Sequence, residues 1–439
     1  MRIGIDGHNL VIPNGTGVAT YGSSLAKVLT EAGHQVEGVF GIDPGNDPAM
    51  RETMFFDQFG HGRQMGNVRK QTTRSVVWNH RARPLIPVNL TDNVDKRAFA
   101  ARWPDFAALW TSPLMFEVAR ARFMHLRRFT TVTMPDPPKV MHWTYPVPIR
   151  MAGSRNIYTL HDLVPLKLPH TTLDNKRYYH RLISSCIANS DHILTVSEAS
   201  KRDILNMFDV PAEKVTNTYQ SSPLPPSLLN TSTQADCTTV KRLFGLPPKG
   251  FYLFFGAQDP KKNIARIVDA YLMSDSDCPL VVVTSRDWGM NGTMGALAAD
   301  GTIYGRKSDK PIVILQYLPR DMLFRLIRAA RAVLFPSIYE GFGLPALEAI
   351  QLGTPVISSN TSSLPEVVGD AGLQVDPYST DEIAQAIRRL DDDRDLYERL
   401  SAAAPAQAAH FTDEAFARRL AKVYAKLDLP WSASNGTEL

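Results

Sequence analysis

Short, near-continuous runs of Val, Ile, Leu and Phe recur through the second half of this chain: "FYLFFG", "LVVVTS", "PIVILQYL", "AVLFPS", "PVISSN" and "LQVDP". Helical stretches such as "NIARIVDAYL" and "RDMLFRLIRAA" lie between them. A strand with one wet face alternates apolar and polar residues. An unbroken run asks for burial on both faces, as in a parallel sheet covered by helices on each side. The N-terminal half repeats the scheme. "RIGIDG" reads as a strand and "NGTG" as a turn, followed by a helix with Val18, Tyr21, Leu25, Val28 and Leu29 on one face, stopped at Gly33. "NIYTLHD" is a strand ending in His161 and Asp162; "HILTVS" ends in Ser197, and Glu198 opens the next helix.

At 439 residues the chain is too long for one ordinary core. The expectation is an α/β protein of two doubly wound domains facing a cleft, over residues 1–225 and 240–408. The Pro/Ser/Thr-rich stretch Ser221–Cys237 is expected to connect them. Residues 409–439, with the amphipathic "TDEAFARRLAKVYAKL", are expected to return to the N-terminal domain. Between Asp43 and Arg150 the pattern loosens, with helices expected at "FAALW" and "MFEVARARFMHLRRF".

Composition excludes several classes. With 44% apolar against 21% charged residues, extended disorder is not expected. No apolar run approaches the ~18–20 residues of a membrane span, and "MRIGIDGHNL" lacks the pattern of a signal peptide. Cys186, Cys237 and Cys278 are odd in number and far apart, which points to a reducing, cytoplasmic setting without disulfides or a zinc site. The net charge of +4 is unevenly spread: His61–Arg150 holds 15 Lys/Arg against 5 Asp/Glu, leaving the rest of the chain at −6. That asymmetry fits an anionic partner or a solvated arginine-rich face.

The densest motif is "PSIYEGFGLPALEAIQLGTPVI", Pro336–Ile357. Pro345 suits a first helical turn, and Gly341 and Gly343 allow close backbone approach, so the helix start can hold a diphosphate. Glu340 and Glu348 bracket the turn. Eight helical residues span ~12 Å, too far for the ~5–5.5 Å pair of a retaining glycosidase. A division of labour fits better, Glu340 near a sugar and Glu348 near a ribose diol, since carboxylates accept paired hydroxyl hydrogen bonds. Glu348 as a mere companion of the helix N-terminus is the alternative.

"PSIYEGFGLPALEAIQLGTPVISSNTSSLPEVVGDAG" resembles the donor-binding signature of retaining nucleotide-sugar glycosyltransferases of family four, which have the GT-B fold. "GTGVATYGSSLAKVLTEAGHQV", "TLHDLVP", "TVSEASKRDI" and "FFGAQDPKKNIARIVDAY" follow in that family's order, covering residues 1 to about 430 apart from Asp43–Arg150. The resemblance implies an acceptor-side N-terminal domain and a nucleotide-sugar-binding C-terminal one. It implies that Glu348 binds the ribose and Glu340 the sugar hydroxyls. The amides of Gly341, Phe342, Gly343 and Leu344 would hold the diphosphate or the sugar beside it, and Lys261 and Lys262 would neutralise the leaving group. Gly15 and Gly17 would close a loop over the donor phosphate, and His161 would meet the transferred sugar near its anomeric carbon. His161, Glu340 and Lys262 are thus the catalytic candidates. Many relatives carry an arginine just after the glycine of "FFG", where this chain has Ala257 and Gln258.

The resemblance is nearest to mannosyltransferases of surface-polysaccharide assembly, with GDP-mannose as donor and a glycan or polyprenyl-diphosphate-linked acceptor. A deoxysugar donor, UDP-glucose, or a non-catalytic sugar-nucleotide-binding protein of the same fold are the competing readings; a phosphorylase or epimerase is a further one. No cofactor, metal or nucleic acid is expected. "DSD" at Asp275–Asp277 reads as a turn and "DDDRD" at Asp391–Asp395 as a helix cap. Arg120, Arg122, Arg127 and Arg128, set among Phe116, Val118, Phe123, Met124, Leu126 and Phe129, suit an acceptor or an anionic membrane at the inner face.

Overall fold

The computed structural model describes residues 1–12, 17–61, 82–91, 93–99, 103–229, 231–257, 259–284, 312–316 and 318–431. The chain forms two compact units. One comprises Met1–Pro169, Leu173–Ser221 and Asp413–Leu439; the other comprises Ser222–Thr412 with His170–Thr172.

In the first unit eight strands form one sheet, in the order Val215–Asn217, His192–Thr195, Arg155–Thr159, Val140–Trp143, Arg2–Asp6, Gln35–Phe40, Ala108–Thr111, Ile86–Val88. All neighbours are parallel except the last pair. The chain builds outward from Arg2–Asp6 in one direction, then jumps to Val140–Trp143 and builds in the other. A small parallel sheet joins Arg83–Pro84, Thr130–Thr133 and Ile149–Met151. The helix Asp413–Lys426 belongs to this unit: Tyr424 is fully buried, its hydroxyl 2.8 Å from His142 Nε2.

The second unit has six parallel strands in the order Ile312–Gln316, Leu280–Thr284, Tyr252–Phe255, Ala332–Phe335, Val356–Ser359, Gly372–Val375. Numbered within the unit this is 3-2-1-4-5-6, the doubly wound order, with its reversal between Tyr252–Phe255 and Ala332–Phe335. The central strands are buried along their whole length, as their unbroken apolar runs require.

Three expectations are corrected. "FAALW" is not a helix: Ala108–Thr111 is a strand beside Gln35–Phe40, where Leu109 and Thr111 point inward and Trp110 Nε1 donates to Glu37 Oε2 at 3.0 Å. Ladder pairing and burial outweigh alanine's helix preference. The stretch Ser221–Cys237 is not a bare connector, since Thr233–Phe244 is a helix capped by Ser232. Asp236 within it is fully buried between Arg325 and Arg328. The third correction concerns the basic segment. Met115–Leu126 is a helix whose Phe116, Val118, Arg122 and Phe123 are buried, while Arg120, Met124, Leu126, Arg127 and Arg128 are exposed. The inward apolar side chains fill the core with Val132 and Ile149 and cannot dip into a membrane.

Candidate active site

Ligands of open parallel sheets bind beyond the C-terminal strand ends where the strand order reverses. In the second unit that place receives two loops, one after Phe255 and one after Phe335. In the first loop Asp259 accepts the Lys261 amide at 3.0 Å and so starts the short turn Pro260–Lys262. Asn263, at φ 64°, redirects the chain into the helix Ile264–Met273. The Ile338 amide donates to Lys261 O at 2.8 Å and ties the two loops together.

That tie brings three predicted residues into one cluster. Lys262 Nζ donates to Glu340 Oε1 at 2.6 Å and lies 4.6 Å from the centre of the Phe335 ring. Lys261 Nζ is 3.9 Å from Glu340 Oε2. Glu340 itself is 6% exposed, so its charge depends on those cations. Burial pushes its carboxyl up, but the charges of Lys262 and Lys261 and the hydrogen bond from Lys262 prevail and hold it below the usual carboxylate value.

The turn Glu340–Gly343 is fixed from the next strand's loop. Ser362 Oγ accepts the Glu340 amide at 3.0 Å. Ser363 Oγ is within 3.0 Å of Glu340 O and 2.8 Å of Phe342 O. Gly343, at φ 104°, turns into the helix Leu344–Gln351; a Cβ there would come 2.6 Å from Leu364 Cδ2. Leu344 is the first helical residue, so its amide has no acceptor within the helix, and Pro345 brings none to satisfy.

Glu348 lies in the second turn of this helix, beyond the first-turn positions at which a carboxylate stabilises the N-terminus. Burial pushes the Glu348 carboxyl up to about 7, against the opposing pull of Arg320. The Arg320 guanidinium stands 3.6 Å away. Neither Arg320 nor the serine pair Ser362–Ser363 was anticipated. The serines follow "PVISSN" after Thr361, so a polar strand end was the available signal; nothing local links Arg320 to Glu348.

In the first unit the reversal falls between Arg2–Asp6 and Val140–Trp143. Asp6, buried at its strand's end, accepts the His8 amide at 3.0 Å through one oxygen and the Thr144 amide through the other. Thr144 O in turn lies 2.8 Å from His161 Nε2. A carbonyl can only accept, so Nε2 carries the proton and Nδ1 keeps its lone pair. Burial lowers the imidazole's pKa, with the Thr144 bond and Asp162 opposing, so His161 is neutral at pH 7. The Tyr21 ring meets it edge-on at 5.0 Å, and Tyr21 Oη is 3.0 Å from Thr159 Oγ1. Asp162 accepts the Val164 amide at 3.0 Å just ahead of the short helix Val164–Lys167. Asp6, Thr144 and Tyr21 complete this cluster, and Asp6 was visible as the polar end of "RIGID". Gly17 starts the helix Gly17–Glu31; Gly15 and Gln258 lie outside the described residues.

Asp275–Asp277 forms the turn between Ile264–Met273 and Leu280–Thr284, with Asp275 at φ 58°. Asp393 accepts the Leu396 amide at 2.8 Å as a helix cap. Among the described residues no three His, Cys, Asp or Glu side chains converge as metal ligands, and no helix is long and apolar enough to cross a membrane.

Residues 15–219 match the family described as Glycosyltransferase Family 4, and residues 245–407 match Glycosyl transferases group 1. O-antigen chain mannosyltransferase B of Escherichia coli is 33% identical over 317 residues, 70% of this chain and 79% of that protein. Sucrose-phosphate synthase of Thermosynechococcus elongatus has a TM-score of 0.62 at 17% identity, over 98% of this chain and 99% of that one. HepE of Anabaena, in complex with UDP and glucose, has a TM-score of 0.61 at 14% identity, over 97% and 100%. At those identities the two structures speak for the fold alone. With both units matched and the E. coli relative aligned over most of its length, the chain belongs to glycosyltransferase family 4 and has the GT-B fold of two Rossmann-like domains.

Proposed function

We infer that this protein transfers mannose from GDP-mannose, with retention of anomeric configuration, to a hydroxyl of a glycan or polyprenyl-diphosphate-linked acceptor in surface-polysaccharide assembly. The observation that carries the reading is the Lys261–Lys262–Glu340 cluster at the strand reversal. Two cations there can take up the charge that grows on a departing nucleoside diphosphate, and Glu340 can accept hydrogen bonds from sugar hydroxyls. Glu348 would accept the ribose diol. Neutral His161 would offer Nδ1 to a hydroxyl of the transferred sugar. Mannose is favoured by the E. coli O-antigen relative; UDP-glucose is the alternative suggested by the HepE complex. No enzyme nucleophile is assigned, and the leaving phosphate would assist deprotonation of the acceptor on the same face.

A thermal-shift panel tests the donor. GDP-mannose at 100-fold its Kd should stabilise by ~2.7 kcal/mol, and more than any UDP-sugar; the reverse preference replaces the donor and spares the fold. Proton NMR of the product should show the donor's α configuration, and turnover should survive EDTA. Loss on chelation with recovery on Mn²⁺ would bring Asp275–Asp277 back into the mechanism. Membrane association is the reading for exposed Arg120, Arg127 and Arg128 beside Met124 and Leu126, each cation worth ~1 kcal/mol at an anionic surface. Arg127→Glu with Arg128→Glu should abolish salt-sensitive co-sedimentation with anionic liposomes. No sedimentation of the unaltered protein at low salt would argue for a soluble acceptor.

A further inference from the structure

Arg83 and Arg122 belong to neither cluster described above. Arg122 stands on the inward face of the helix Met115–Leu126, at the spacing of Met115, Val118 and Ala119, and is 8% exposed. Its Nε is buried and makes no hydrogen bond. Arg83 opens the strand Arg83–Pro84. Its Nη2 donates to Pro113 O at 2.8 Å and its Nε approaches Ser112 Oγ at 3.4 Å, at the turn that starts the same helix.

That strand runs beside Thr130–Thr133, with Arg83 opposite Val132. Leu85, Val132, Ala119 and Phe123 share one core. Both arginines therefore sit in one helix–sheet layer. Thr130, two residues from Val132 on the same face of its strand, is fully buried and leaves its hydroxyl without a partner. Burial, and then the charge of Arg122, hold the Arg83 guanidinium below its ordinary value. Among the described residues no carboxylate forms an ion pair with either arginine.

Two desolvated like charges with an unused N–H and an unused hydroxyl are costly unless something neutralises them. The guanidinium fork matches a phosphate bidentately, and a dianion balances two cations where a carboxylate balances one. We propose that Arg83 and Arg122 form a binding site for a phosphate-type dianion, the phosphate or diphosphate group of a ligand of the first unit. Arg83, only partly buried, gives the site its opening. The donor reading plays no part in this argument. The group can arrive free or on a lipid carrier.

The test uses the full chain carrying Lys261→Ala, Lys262→Met and Glu340→Leu, which removes the lysine pair at the strand reversal of the second unit without stranding the buried carboxylate. Inorganic diphosphate should still raise its Tm and bind by calorimetry. Adding Arg83→Gln, or separately Arg122→Met, should weaken that binding by about tenfold or more. Arg122→Met preserves bulk without charge, and the partly exposed Arg83→Gln serves if that variant does not fold. A prenyl diphosphate that binds at least about tenfold tighter than inorganic diphosphate identifies a lipid-borne group; equal affinity identifies a free one. Absence of diphosphate binding in the lysine variant, or binding that neither arginine substitution weakens, overturns the proposal.

Discussion

At its strand reversal the second unit carries ions: Lys262 and Lys261 around a buried Glu340, with the carboxyl kept ionised by their charge. The first unit, at the corresponding place, spends a buried carboxylate on backbone. Asp6 holds the His8 and Thr144 amides, and Thr144 holds a neutral imidazole. Both sheets supply the same kind of ledge beyond parallel strand ends. What each ledge can do depends on whether its charges face one another or are taken up by peptide groups. The ionic ledge can answer a change of charge on a ligand; the neutral one can hold a hydrogen-bonding geometry in place.

The contrast breaks most visibly if Lys262 is removed. Lys262→Ala strands a buried carboxylate and should cost ~3–5 kcal/mol in urea denaturation, with ~10²–10³ in turnover. Exchanging both partners, Lys262→Met with Glu340→Leu, should recover most of the stability and none of the activity. Because the Glu340 carboxyl sits below its ordinary value, its stabilising contribution is present at neutral pH and is lost as pH falls below the usual carboxylate range. A Lys262→Ala cost under ~1 kcal/mol would reduce the pair to an ordinary surface bridge.

His161→Ala should behave in the opposite proportion. Turnover is expected to fall by ~10², while stability falls by only ~1–3 kcal/mol, the cost of an unpaired Thr144 carbonyl rather than of a stranded charge. Asp6→Ala should likewise lower stability by ~1–3 kcal/mol, the cost of buried amides without acceptors, and reduce turnover through the displaced Thr144 carbonyl. Equal stability loss in His161→Ala and Lys262→Ala would erase the distinction between the two ledges.

The smallest effect concerns Glu348, an intermediate case whose carboxyl is pushed up to about 7 by burial. A ribose diol donates hydrogen bonds and prefers the ionised form. Donor affinity should therefore rise about tenfold from pH 6 to pH 8, and Glu348→Gln should flatten the dependence. The ligand-free protein should show the reverse trend, losing stability as pH climbs from the ordinary carboxylate value towards 7. Donor affinity independent of pH in the unaltered protein would remove Glu348 from the ribose.

Much of this was legible in the chain itself, and the physical reasons differ by residue. The parallel strands announced themselves because a strand covered on both faces has no room for polar residues. "FAALW" misled because its alanines favour a helix locally, while its partner strand Gln35–Phe40 lies far away in sequence. Glu340, Lys261 and Lys262 stood out as a motif, yet their mutual pairing depends on the Ile338–Lys261 backbone bond, which only the folded sheet creates. Arg122 looked like part of a basic surface because charge alone does not tell which face of a helix turns inward. The periodicity with Met115, Val118 and Ala119 carried that information.

The helix Asp413–Lys426 fills a slot in the first unit, its Tyr424 seated against His142, although the whole stretch Ser222–Thr412 intervenes. On the ribosome this reverses the usual schedule, in which the leading domain finishes first. The second unit, built from an almost continuous stretch, can complete itself while the first still lacks a wall of its core. The nascent first sheet waits with His142 uncovered until synthesis passes Lys426. That interval is when the chain is most exposed to aggregation and to chaperones, and rare codons or ribosome pauses before residue 413 would lengthen it.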